Sequence, residues 1–75
     1  MKFADLTFAE RGCCAAHSAA VAQHDNGART DITDNGNGTY TVCTWVGQTL
    51  QIGAQVLLDQ AAVEARLVSD AALSV

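Results

Sequence analysis

The sequence predicts an α+β fold: an α-β-β-β-α two-layer sandwich in which a three-stranded antiparallel meander carries both helices on one face. Three observations predict it. An alanine-rich stretch near the N-terminus opens on Thr7-Phe8-Ala9-Glu10, which has the spacing of a capping box. The run Thr39-Tyr40-Thr41-Val42-Cys43-Thr44-Trp45-Val46 is β-branched and aromatic and sits between two turn signals. From Gln55 onward the apolar residues recur at helical spacing.

The 75 residues allow one domain, spanning 1–75. The hydrophobic class is 49% of the chain. Much of it is alanine, so the core is expected to be thin.

The first helix is predicted from about Phe8 to His24, ended by Asp25-Asn26-Gly27. Phe8, Gly12, Ala15, Ala19 and Ala22 share one stripe on it, and most of them are small, so the helix should lie close on what it covers. Ala28 to Asp34 alternates as a strand. Asp34-Asn35-Gly36-Asn37-Gly38 is dense in turn residues. Gly47-Gln48 fits a two-residue type II′ turn, and Thr49 to Gly53 alternates again.

A two-residue turn at Gly47-Gln48 sets Trp45 opposite Leu50 and Cys43 opposite Ile52. A four-residue loop after Asp34 sets Ile32 opposite Thr41, Thr30 opposite Cys43 and Ala28 opposite Trp45. All of these then point to one face, which is the expected core. The other face receives Arg29, Asp31, Thr33, Tyr40, Val42, Thr44, Val46, Thr49 and Gln51. In the second helix, Leu57, Leu58, Ala61, Ala65, Val68 and Ala72 form the expected core stripe. Val56, Val63 and Leu67 form a second stripe, with Asp59, Arg66 and Asp70 along its border.

Charge excludes more than it identifies. Eight acids against four bases give a net charge of −4. That excludes ordinary nucleic-acid binding, which needs clustered Lys and Arg, and argues against anionic membranes. The predicted element order is shared with double-stranded-RNA-binding domains, but those begin their last helix with lysines, and here Gly53-Ala54-Gln55-Val56 carries no base. Three cysteines, two of them adjacent, do not make a disulfide framework. They read as reduced thiols in a cytoplasm. An acid at Asp5 stands where an export signal would be apolar, and no apolar run reaches membrane-spanning length.

Cys13, His17 and Cys43 could supply two thiolates and an imidazole, but a fourth ligand is missing and the spacing is not that of zinc modules, so neither metal nor cofactor is expected. Cys13 lies inside the predicted helix, away from the N-terminus or cation that would activate a nucleophilic thiol. Asn35-Gly36-Asn37-Gly38 lacks the lysine of a phosphate loop and the spacing of a calcium loop. A non-enzymatic protein is expected.

Two surfaces are candidates for protein contact. One is the second helical stripe, Val63 and Leu67, ringed by Asp59, Glu64 and Asp70. The other is the outer sheet face, with Tyr40, Asp31 and, in the adjoining turn, Asp34. An apolar seam bordered by carboxylates suits a partner whose surface is basic around an apolar patch. The same seam could serve as the two-fold interface of a homodimer.

In its small size, acidity, compact α/β layout and want of an enzymatic motif, the chain resembles anti-CRISPR proteins and other small inhibitors encoded by phages and mobile elements. The resemblance implies an inhibitor, working in the host cytoplasm, that docks on a basic, nucleic-acid-binding surface of a CRISPR effector and blocks target DNA. Asp31, Asp34, Asp59, Glu64 and Asp70 would then act as phosphate mimics, or the bulk of the protein would block sterically.

Overall fold

The computed structural model describes residues 2–10 and 18–74, and of Glu10 only the backbone. A 3-10 turn at Phe3–Asp5 leads into a five-stranded antiparallel sheet followed by one helix. The strands are β1 (Ala9–Glu10), β2 (Ser18–Gln23), β3 (Ala28–Asp34), β4 (Tyr40–Val46) and β5 (Thr49–Leu57), and the helix is α1 (Gln60–Ala71). Their order across the sheet is β1-β2-β3-β4-β5, so every neighbour in sequence is a neighbour in space. Four of these strands are long, and β1 is a two-residue pairing at the edge.

This corrects the three-stranded, two-helix α-β-β-β-α expectation. Ser18–Gln23, assigned from sequence to the first helix, is a strand, and so is the Ala9–Glu10 end of the supposed capping box. Residues 11–17 of that predicted helix, with Cys13, Cys14 and His17, lie outside the described residues. Alanine favours helix only by tenths of a kcal/mol to about 1 kcal/mol per residue, and tertiary pairing overrides that readily. Here β2 pairs with β3 along its whole length, Ser18↔Asp34 through Gln23↔Arg29. Ala20 and Ala22 turn into the core while Val21 and Gln23 turn out. Asp25-Asn26-Gly27, read as a helix stop, is a hairpin turn. The His24 N–H donates to the Ala28 carbonyl and the Gly27 N–H to that of His24, with Gly27 at φ 88°.

The register also departs from expectation by one residue. Asp34 pairs with Tyr40, so the β3–β4 loop holds five residues rather than four, and Ile32 faces Val42, Thr30 faces Thr44 and Ala28 faces Val46. Thr39 is drawn into the turn. Its N–H and hydroxyl both donate to the Asn37 side chain, and its carbonyl accepts from the Asn35 N–H. A shift of one residue inverts a strand. The inward face of β4 is therefore Tyr40, Val42 and Thr44, while Cys43 and Trp45 face out.

At the second turn the expectation holds. Val46 pairs with Thr49 and Trp45 with Leu50, with Gly47 at φ 60°. Two register shifts then follow along β5, so that Ile52 lies opposite Thr44 instead of Cys43.

The helix begins later than the periodicity indicated, because β5 runs on to Leu57. Asp59 is its N-cap, accepting from the Ala62 N–H at 2.8 Å. The core stripe is the one expected to be secondary: Val63 and Leu67 are 0% exposed, whereas Val68 is 61% exposed and Leu58 77%. The periodicity failed because Leu57 belongs to the strand and Leu58 to the connection, so neither marks a helix face.

Val63 and Leu67 pack on Ile32, Val42, Ala22 and Tyr40. Phe3, Leu6, Phe8 and Leu57 close one end. There Phe3 meets Tyr40 edge-on at 5.3 Å between ring centroids and Phe8 at 5.6 Å, a favoured arrangement for aromatic pairs.

The neighbours Leu67 and Val68 give a direct test of this helix face. Leu67→Ala is expected to cost about 2–5 kcal/mol in urea denaturation, and Val68→Ala to stay within about 0.5 kcal/mol of wild type. A larger loss at Val68 would restore the stripe expected from sequence.

Candidate functional site

The sheet has two faces with different chemistry. The inner face, under α1, carries a buried polar cluster at one end of the core. Asp70 projects from the last turn of the helix and is fully buried, as are Thr30 on β3 and Thr44 on β4. Asp70 Oδ2 accepts from the Thr30 hydroxyl at 2.6 Å and from the Thr44 hydroxyl at 2.7 Å. Asp70 Oδ1 accepts from Arg66 Nε at 3.3 Å. Arg66 also donates through Nη2 to Thr44 Oγ1 at 2.7 Å and through Nη1 to Gln55 Oε1 at 2.8 Å.

Each threonine has a single hydroxyl proton, and in both cases it goes to Asp70. His24 Nε2, at 2.8 Å from Thr30 Oγ1, must therefore be the donor of that bond. Beside the cluster, the Asn26 amide donates to the Asp70 and Leu73 carbonyls, both at 3.0 Å, and satisfies acceptors that the helix end leaves open.

The row His24, Thr30, Asp70 contains the residue types of a hydrolase relay in an order that does not serve one. The hydroxyl stands between imidazole and carboxylate and gives its proton to the carboxylate. The imidazole cannot receive that proton, and Thr30 is fully buried. The cluster is structural. No pocket opens among the described residues, and no group of three or more His, Cys, Asp or Glu among them could hold a metal ion.

The outer face is different. Its cross-strand rows are Ala19–Thr33–Thr41–Val56, Val21–Asp31–Cys43, and Gln23–Arg29–Trp45–Leu50. None of the described elements packs over it. Val21 is 56% exposed, Leu50 49% and Val56 61%. In the third row the Arg29 guanidinium lies over the Trp45 ring, 5.3 Å from its centroid, and its Nε is 3.1 Å from Asp31 Oδ1. The salt bridge and the ring together hold the guanidinium over Trp45. The Trp45 indole nitrogen is buried and has no hydrogen-bond partner among the described residues. Cys43 is a half-buried free thiol in the middle row.

The residues singled out from sequence separate accordingly. Val63, Leu67, Tyr40 and Asp70 are buried, so they are core and not contact surface. Val63 and Leu67 cannot form the two-fold seam, because α1 uses them to hold the sheet. Glu64 Oε1 accepts the Phe3 N–H at 2.6 Å and ties the N-terminal turn to the helix. Asp59 caps α1, Asp34 accepts from the Gly36 N–H at 2.8 Å, and Asp31 pairs with Arg29. The carboxylates read as phosphate mimics are thus aimed at the protein's own donors. Of the set, Asp31 alone stands on the outer sheet face.

Sequence reasoning missed the Asp70 cluster, although a signal was present. An acid in the last turn of a helix opposes the macrodipole, and Arg66 preceding Asp70 by four is the less favourable order for an exposed pair. Both imply a partner elsewhere in the fold.

No family model, curated protein or solved structure matches this chain.

Removing the buried carboxylate should be the costliest single change in the cluster. Asp70→Ala strips Arg66 of its counter-charge and takes the acceptor from the Thr30 and Thr44 hydroxyl protons, and is expected to cost about 3–5 kcal/mol. Asn26→Ala should cost about 1–3 kcal/mol, and Asp25→Ala, on the exposed turn, under about 0.5 kcal/mol. Chemical denaturation of the three variants checks this ranking.

Proposed function

We propose that this protein is a non-enzymatic binding module whose contact surface is the open outer face of its sheet. One observation carries the reading: Val21 (56%), Leu50 (49%) and Val56 (61%) stand exposed on the same face as Trp45, a face that no described element covers, and Leu50 is the cross-strand neighbour of Trp45. Tryptophan and arginine are among the residue types enriched at protein contact surfaces, and the exposed aliphatics of the same face add apolar area to them. The Arg29–Asp31 pair on the same face, already held by its salt bridge and the Trp45 ring, offers oriented polar groups at little further entropic cost.

The specific form of the proposal is an inhibitor that occupies a basic, nucleic-acid-binding surface of a CRISPR effector and excludes target DNA. A net charge of −4 supports it, since the field of the whole molecule steers it toward a basic surface. Steric exclusion fits better than phosphate imitation, because Asp34, Asp59, Glu64 and Asp70 are engaged in internal bonds.

The test is plasmid interference in bacteria carrying defined CRISPR effectors. The wild-type protein is expected to restore transformation against at least one effector. Val21→Lys and Leu50→Lys should each abolish the effect, while Asp25→Asn, on the turn between β2 and β3, should leave it intact. Failure of the wild type against the whole panel retires the CRISPR form. Full activity in both lysine variants retires the outer face as the surface.

A further inference from the structure

We propose that β5 is an edge through which two copies of this chain pair, strand to strand and antiparallel, into one continuous sheet. The sheet ends in two unlike edges. At one end β1 is two residues long among the described residues, a short edge of the kind that resists pairing. At the other end β5 is nine residues long and, among the described residues, is paired along one side only, to β4. It has no lysine, no proline and no charge of any kind. Most of its residues are exposed, Val56 among them at 61%. Its two register shifts fall between Val42 and Trp45 of the partner strand, so the ladder is regular where Gln55, Val56 and Leu57 face Val42, Thr41 and Tyr40. That stretch is the pairing segment.

The occupant follows from charge. From Asn35 to Leu58 the chain holds no charged residue, so β4 and β5 form a neutral half of a molecule whose net charge is −4. A basic partner finds no carboxylate on this edge. A second copy finds a neutral strand like its own, and in each copy the charged strand β3 is separated from the joint by β4 and β5. A two-fold axis perpendicular to the sheet makes the pairing antiparallel and keeps both helices on one face. It also brings Val56 of each copy together on the outer face, joining the two outer faces into one. This interface shares Val56 with the outer-face surface proposed above, on which it rests for nothing else, and leaves Val21 and Leu50 outside the pairing segment.

Sedimentation and backbone hydrogen exchange of the whole protein over a range of concentrations test the pairing. Wild type is expected to sediment at twice the 7.8 kDa chain mass and, because the interface is uncharged, to associate more tightly as salt screens the net repulsion. The amides of residues 53–57 should exchange more slowly as concentration rises. Val56→Lys should weaken the dimer about tenfold or more, by setting like charges against each other. Val21→Lys, an equal change of charge at the opposite side of the same face, should leave the dimer unchanged. A monomer at every concentration overturns the proposal. So does a dimer that survives Val56→Lys, or one lost in Val21→Lys without concentration-dependent protection in β5. The exchange measurement on wild type decides the matter even if Val56→Lys fails to fold. Loss of inhibition in Val21→Lys with the dimer intact separates this interface from the partner surface.

Discussion

The buried Asp70 carboxylate is the constraint around which the rest of the structure is arranged. It takes hydroxyl protons from two adjacent strands and a guanidinium proton from its own helix. Three elements are thereby fixed relative to one another at a single point. Burying a carboxylate is costly unless every lone pair that faces the protein is met. Moving the helix along the sheet, or sliding β4 against β3, would leave the charge unpaired. The apolar contacts of Val63 and Leu67 have no such directionality. They hold the helix on the sheet, and the cluster determines where.

At the opposite end of the core a second set of contacts does the same with weaker means. Phe3, Phe8 and Tyr40 form an aromatic group, and Glu64 takes the Phe3 N–H. A helix of twelve residues is thus pinned near both ends. Between the pins the sheet contributes mainly alanine and β-branched residues. A thin core of this kind gains less from burial than a leucine-rich one, which is why oriented polar contacts matter more here. The acids that give the chain its charge are largely part of this internal scaffold. The outer face and the β5 edge are uncommitted surfaces among the described residues, and each carries exposed apolar side chains. The proposed partner contact and the proposed self-pairing each draw on one of them.

Particular elements show how far the sequence could be read. The β3-β4-β5 meander and the turn at Gly47-Gln48 were legible, because β-branched runs and a Gly turn are local signals. In β3 the inward set Ala28, Thr30 and Ile32 and the outward set Arg29, Asp31 and Thr33 were also legible. The parity of β4 was not. It depends on whether Thr39 belongs to the loop or the strand, and that is settled by a hydrogen bond from the Asn35 side chain to Thr39 and two from Thr39 to the Asn37 side chain, which only the closed turn contains. The partner surface suffered most from this, since Tyr40 and Trp45 exchanged faces.

By itself the sequence determined a small acidic α+β domain with a strand meander in its middle and an amphipathic helix near its end. Those features follow from composition, turn residues and periodicity, which act over a few neighbouring residues. Only the tertiary structure decided that the alanine-rich segment Ser18–Gln23 is a strand, that Val63 and Leu67 are core, and that Asp70 is buried. Each of these depends on a partner distant in sequence: β3 for the alanines, the sheet for the helix stripe, and Thr30 and Thr44 for the carboxylate. Alanine's helix preference is small enough for a strand partner along its whole length to override, and a carboxylate can be buried only where matching donors converge.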